Sequence, residues 1–355
     1  MLHGHGDDGY LYEDQKIGKS LINFSSNVSP FGLDEGLKEY LQGKITTIDH
    51  YPEPDAHSLS RSLEEFHQNG KVLVTNGATA AFYLIARAFS DRQAVVFAPS
   101  FAEYADACLS AGLKVSTLRV PFEQRHFPFK KELLFIGNPN NPDGKLISVQ
   151  QLLSFAAKNQ EALIVVDEAY MDFAEREESV VPFLEDQRNL IVVKSLTKTF
   201  SVPGIRLGYI LAAPEIIEHL GQKMEPWSVN ALALHAGEYI LSHFGELLPD
   251  YKLLHQWRDE IIGELRKLKI LEVLPTCTHY FLLKLKKGKA KELKQFLLHN
   301  YAILIRDASN FVGLNEQYIR VSVQSPENNR LLLEGLKVYS SIFEKTESKT
   351  FKIID

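Results

Sequence analysis

The sequence predicts an α/β protein: a large domain on a mainly parallel sheet, together with a smaller α+β domain. Three observations predict it. Short β-rich runs crowd the middle of the chain, several of them apolar throughout, as strands covered on both faces are. Helical patterns separate most of these runs, and strand–helix alternation favours parallel pairing with right-handed crossovers. At 355 residues the chain is too long for one small core.

Residues 1–35 are loop-rich. Val72–Thr75 opens the strand series, and Ala78–Phe89 follows as a helix with apolar residues at near-helical spacing. Ala94–Ala98, Lys114–Val120 and Leu133–Gly137 are the next strands. Ser148 stands where it caps a helix over Ser148–Lys158. Leu163–Val166, Leu190–Val193 and Tyr209–Ala212 complete the series. From about Ser242 a long charged amphipathic stretch leads to strand-like runs at Tyr280–Leu285 and Tyr318–Val323, then to a final helix from about Pro326. This divides the chain into a large domain at 36–241 and a small domain built from 1–35 and 242–355.

Composition narrows the function classes. A net charge of -6 gives no reason to expect nucleic acid or an anionic membrane as partner. Two cysteines without a C-x-x-C argue against a disulfide framework and a cysteine zinc site, and no metal is expected. The N-terminal MLHGHGDDGY lacks the features of a signal peptide, and no apolar run approaches the roughly 20 residues of a membrane helix. A cytoplasmic enzyme is the expectation.

Open parallel sheets bind ligands at the carboxyl ends of their strands, so the chemistry is read there. After Val72–Thr75 comes Asn76-Gly77-Ala78-Thr79 at a helix start, where free N–H groups suit a phosphate. After Ala94–Ala98, P-S-F-A-E-Y offers two rings, Phe101 and Tyr104. After Leu133–Gly137, N-P-N-N-P-D-G makes a rigid loop of two Asn-Pro steps. After Leu163–Val166, D-E-A-Y brings Asp167, a carboxylate that must be paired if buried. After Leu190–Val193 comes S-L-T-K-T-F-S-V-P-G-I-R-L-G-Y, with Lys198 and Arg206. A lysine in a desolvated site can serve as an amine nucleophile. Singly, each feature has an ordinary structural explanation: a capped turn, core rings, a salt bridge, a surface lysine. Together they form the set that pyridoxal 5'-phosphate requires: an amine for its aldehyde, an acid for its ring nitrogen, and N–H groups, hydroxyls and a cation for its phosphate.

These motifs resemble those of the fold-type I pyridoxal-phosphate enzymes of the class I/II aminotransferase superfamily, in order over most of the chain. The resemblance implies that Lys198 binds the cofactor, Arg206, Ser195 and Thr197 hold its phosphate with the turn Gly77, Ala78 and Thr79, and Tyr104 stacks on its ring. It places Asn141 and Tyr170 near the cofactor's O3' and Asp167 at the ring nitrogen, with Lys198, Asp167 and Tyr170 as the catalytic group. It also implies a homodimer with a shared active site, in which Tyr51 of H-Y-P-E-P reaches the partner's cofactor phosphate.

The chain is further similar to the histidinol-phosphate aminotransferase branch, and within it to decarboxylases of L-threonine O-3-phosphate in cobalamin synthesis. N-F-S-S-N-V-S-P-F-G at 23–32, M-E-P-W-S-V-N-A-L-A at 224–233 and L-I-R-D-A-S-N-F-V-G-L at 304–314 carry this likeness. It implies Arg306, Arg320, Asn27 and His3 as substrate-binding residues. Two activities follow as expectations: decarboxylation of L-threonine O-3-phosphate, or transfer of an amino group to 2-oxoglutarate. Asp143 stands where the family usually has threonine, and His279 where an asparagine is common. A non-catalytic regulator is disfavoured, because no helix-turn-helix or basic segment is attached.

Overall fold

A computed structural model describes residues 7–12, 21–119 and 129–350. The chain separates into two compact units, one of residues 31–141 and 145–249, the other of residues 1–30, 142–144 and 250–355. That the three residues Pro142–Gly144 fall in the second unit was not visible in the sequence.

The first unit holds a seven-stranded sheet. Its strands are β1 (Lys71–Thr75), β2 (Gln93–Phe97), β3 (Val115–Leu118), β4 (Glu132–Gly137), β5 (Leu163–Asp167), β6 (Leu190–Ser195) and β7 (Gly208–Ala212). Their order is β1-β7-β6-β5-β4-β2-β3, with β7 antiparallel to both neighbours and every other pair parallel. The apolar runs are explained by two core layers, one on each face. Val72, Val74, Leu134, Ile136, Val166 and Val192 face one, and Leu73, Leu133, Phe135, Val165, Ile191 and Val193 face the other. Strand β3 departs from the expected Lys114–Val120. It is a shorter edge strand whose Ser116 and Thr117 are exposed, and Val120 lies outside the described residues.

Helix α1 (Gly77–Ala88) follows β1 and buries Ala81, Phe82, Leu84, Ile85 and Ala86. Helix α2 (Val149–Lys158) starts at a capping box: Ser148 accepts from the Gln151 amide while the Gln151 side chain bonds back to Ser148. A single turn of helix, α3 (Leu196–Thr199), continues directly from β6 and carries Lys198, which therefore sits one turn beyond the strand end.

The second unit contains an antiparallel four-stranded sheet of β8 (Leu271–Val273), β9 (Tyr280–Leu285), β10 (Arg306–Asp307) and β11 (Tyr318–Ser322), in the order β10-β11-β9-β8. The N-terminal segment is tied into this unit. Ile22–Asn23 pairs in parallel with Ile303–Leu304, and the Ser322 amide donates to the Phe24 carbonyl at 3.0 Å.

Candidate active site

The register of the large sheet brings the functional strand ends to one edge. Gly137 pairs with Asp167, and Asp167 with Val193, while Ser195 and Thr75 both pair with Gly208. Side chains alternate across a sheet, so Asp167 and Ser195 project from the same face.

The turn Gly77-Ala78-Thr79 opens α1 without a side-chain cap from Asn76, which leaves first-turn amides for an anion. Gly77 has φ +84, and a Cβ built on it would lie 2.5 Å from Nη2 of Arg206. Gly208 is equally constrained: its Cβ would lie 2.6 Å from the Ala78 amide nitrogen. A Cβ at Gly208 would strike backbone, and one at Gly77 would displace the Arg206 guanidinium that lies against the turn. Arg206 itself adopts the left-handed region at φ +59 and donates from Nη1 to the Pro203 carbonyl at 3.0 Å. Left-handed backbone at a non-glycine costs about 1–2 kcal/mol, a strain characteristic of functional sites. Ser195 Oγ and Thr197 Oγ1, both buried, are 2.9 Å apart. Amides, hydroxyls and a guanidinium form a donor set that fits a phosphate.

Asp167 ends β5 almost fully buried. Burial pushes its carboxyl up to about 6, against the Tyr104 hydroxyl, the Ala169 amide and the Lys198 ammonium, which all favour the ionised form. Tyr104 donates to Oδ2 at 2.5 Å and the Ala169 amide to Oδ1 at 2.9 Å. A carboxylate poised in this way fits a protonated ring nitrogen. Tyr170 lies half-buried three residues on, at the start of a 3-10 turn.

The asparagine loop divides its labour. Asn138 bonds Ile147 through both side-chain atoms, and Asn140 donates to the Pro99 carbonyl at 2.8 Å. These two hold the loop. Asn141, 8% exposed, is carried at its tip.

One assignment needs correction. Tyr104 was expected to stack on the cofactor ring, but it is 1% exposed, with Phe135 stacked at 5.5 Å and Phe82 and Phe101 edge-on to it. These rings enclose it, and its hydroxyl is directed to Asp167. Phe101, the other ring of P-S-F-A-E-Y, is half-buried three residues earlier. Tyr51 is 86% exposed, with its ring 5.4 Å from that of Trp227.

The second unit holds the remaining residues. Arg306 and Arg320 are 9% and 5% exposed and sit directly opposite each other across β10 and β11. Burial and the neighbouring Arg320 lower the Arg306 pKa to about 10. Like charges opposed in this way are destabilising unless an anion joins them. Arg306 also donates to Asn310 Oδ1 at 2.8 Å, and Arg320 to the Ser25 carbonyl. Asn27 is 2% exposed, and neither polar atom of its side chain has a hydrogen-bond partner among the described residues. Its carbonyl bonds His279 Nε2 at 3.2 Å, which gives that buried histidine a supporting role. His3 lies outside the described residues.

With this geometry in place, comparison with known proteins is informative. The sequence pattern of the family "Aminotransferase class I and II" matches residues 19–336. The chain is 31% identical to the threonine-phosphate decarboxylase of Salmonella typhimurium, over 89% of this chain and 90% of that one. It is 31% identical to the histidinol-phosphate aminotransferase of Thermoanaerobacter pseudethanolicus, over 88% and 91%. It is 28% identical to the adenosylcobalamin biosynthesis bifunctional protein CobDQ of Leptospira interrogans, over 93% of this chain but only 40% of that protein's length. Among solved structures, the L-threonine-O-3-phosphate decarboxylase of Porphyromonas gingivalis superposes with a TM-score of 0.86 at 37% identity, covering 90% of this chain and 99% of that one.

Proposed function

Since this chain belongs to the class I and II aminotransferases, which depend on pyridoxal 5'-phosphate, we propose that it decarboxylates L-threonine O-3-phosphate to aminopropanol phosphate. The observation that carries the reading is the buried pair Arg306 and Arg320, with Arg320 bonded to the Ser25 carbonyl two residues before the unpartnered side-chain amide of Asn27. Such a pair suits a substrate with two anionic groups, and arginine binds carboxylate and phosphate alike through its fork. Relatives named for threonine phosphate support the choice.

The roles of the residues follow from their chemistry. Bound pyridoxal phosphate supplies an electron sink for charge developing at the substrate α-carbon. Asp167 holds a proton on the ring nitrogen. Gly77, Ala78 and Thr79 with Ser195, Thr197 and Arg206 bind the phosphate, Asn141 and Tyr170 address O3', and Phe101 covers the ring. Lys198 brings the amine and exchanges a proton at the α-carbon. Arg306 and Arg320, assisted by Asn27, orient the substrate and thereby select which bond to the α-carbon breaks. Tyr51 reaches the cofactor phosphate of a second copy, so the working form is a homodimer. Among the described residues no helix is long and apolar enough to cross a membrane.

The alternative is transamination of the histidinol-phosphate type, which uses the same groups with the α-hydrogen as the labile bond. It draws on the equally covering histidinol-phosphate relative. One experiment separates the two. Purified holoenzyme is mixed with L-threonine O-3-phosphate and no keto acid, and carbon dioxide is followed. Sustained release is the expected result. Failure to release it, with consumption of 2-oxoglutarate on adding amino donors, establishes the alternative.

A further inference from the structure

The strand ends that carry Asp167 and Lys198 are joined on the reverse face of the sheet by polar contacts that touch no cofactor-facing side chain. Glu168 and Lys194 continue the face of Val166 and Val192, opposite to that of Asp167 and Ser195. Lys194 Nζ lies 3.1 Å from Glu168 Oε2, with the two side chains 13% and 0% exposed. The Glu168 carboxylate is fully engaged: Ser179 Oγ donates to Oε2 at 2.7 Å and the Val180 amide to Oε1 at 2.8 Å. Five residues along from Lys194 and four along from Glu168 comes a second contact, where Thr199 Oγ1 donates to Asp172 Oδ2 at 2.7 Å. Segment 167–172 is thus bonded to segment 194–199 at both ends, and between the bonds lie Tyr170, Ser195, Thr197 and Lys198.

The electrostatics fit a closed network. Burial alone would lower the Lys194 pKa, but Glu168, with Tyr209 and Asp172, holds it above the ordinary lysine value. Lys194 pairs in register with Tyr209, whose hydroxyl meets His67 Nε2 at 2.9 Å. Burial and the Lys194 charge depress His67 to about 4, so it is neutral and the positive charge stays on the lysine. A buried ion pair of this kind contributes little net stability and is better suited to fixing an arrangement.

We propose that Lys194–Glu168 and Thr199–Asp172 form a reverse-face clamp that sets the distance between Asp167 and the Ser195–Lys198 segment. The clamp residues are positioning residues, acting through the groups that address the cofactor's two ends. The proposal rests on the assignment of Asp167 and Lys198 to the cofactor. Loss of one contact is expected to weaken cofactor binding about tenfold, the equivalent of one hydrogen bond's net contribution.

The test measures the pyridoxal 5'-phosphate dissociation constant of the full chain from the visible absorbance of the bound cofactor, with melting temperature alongside. Thr199→Val removes one hydrogen bond at constant volume and Thr199→Ser retains it. The double variant Glu168→Gln with Lys194→Met removes the ion pair without stranding a charge. The expected result is a dissociation constant raised about tenfold in Thr199→Val and in the double variant, and unchanged in Thr199→Ser. A lowered melting temperature with unchanged cofactor affinity in both would make the contacts structural only and overturn the proposal. Lys198→Ala and Asp167→Asn serve as references. If they alter the absorbance and affinity while the clamp variants do not, the clamp alone fails. If they leave both unaltered, the cofactor assignment fails and the clamp with it.

Discussion

The hydroxyl of Tyr104 donates to Oδ2 of Asp167 over 2.5 Å, within a cluster of aromatic rings. A hydrogen bond to a buried carboxylate is worth about 1.5–3 kcal/mol, and here it opposes the upward push of burial on Asp167. Tyr104→Phe is therefore expected to raise the Asp167 pKa further above about 6 and to weaken cofactor binding about tenfold. The pH titration of the bound cofactor's absorbance checks this, and an unmoved titration would refute the tuning role.

Gly77 offers a steric prediction. Gly77→Ala forces a Cβ to 2.5 Å from Arg206 Nη2 in a backbone at φ +84. The guanidinium must leave the turn, so phosphate affinity should fall at least about tenfold while the fold survives. Gly43→Ala is the control, because a Cβ there meets nothing within 4 Å. Equal cofactor affinity in both variants would show that the turn does not bind the phosphate.

The arginine pair predicts opposite effects on binding and stability. Arg306→Met removes a like charge facing Arg320. The ligand-free protein should become no less stable, while KM for a phosphorylated amino acid rises about a hundredfold. Steady-state kinetics and thermal melting read the two effects separately. A variant with unchanged KM would remove Arg306 from the substrate site.

The half-buried His67 and the buried Asp167 titrate across the same acid range with opposite sign in the cofactor-free protein. His67 is depressed to about 4, so the unfolded chain binds a proton more readily below its ordinary value of 6.5, and stability falls by about 3 kcal/mol as pH drops toward 4. Asp167 is raised to about 6 from 3.8, so its proton is bound more tightly when folded, and stability falls by about 3 kcal/mol as pH rises from 4 to 6. His67→Gln should flatten the acid loss of stability and Asp167→Asn should steepen it. Denaturant unfolding at pH 4.5 and pH 7 tests both, and parallel changes in the two variants would contradict the signs.

What the sequence revealed depended on whether the signal was local. The sheet strands were visible because burial on two faces leaves apolar runs such as Leu163–Val166, and the residues proposed for the cofactor stood out because they follow strand ends in motifs. Edge strand β3 was overdrawn, because an exposed edge loses the apolar signature at Ser116 and Thr117. Sequence did not tell the enclosed Tyr104 from the half-buried Phe101, since two aromatics three residues apart carry no mark of which is enclosed. Glu168 and Lys194 went unread as a pair: 26 residues apart in sequence, they meet only through the register of β5 on β6. Strand parity was the available clue, because Glu168 must face away from Asp167.

The turn Pro142–Gly144 groups with the second unit, although chain on both sides of it groups with the first. Its anchor there is the Cys277 amide, which donates to the Gly144 carbonyl at 2.9 Å. The two units are therefore not separable cassettes. No single cut divides them, and a fragment ending near residue 249 would carry this turn without the chain that receives it. Exchange of the second unit among relatives would have to carry three residues from the middle of the sequence along with both ends.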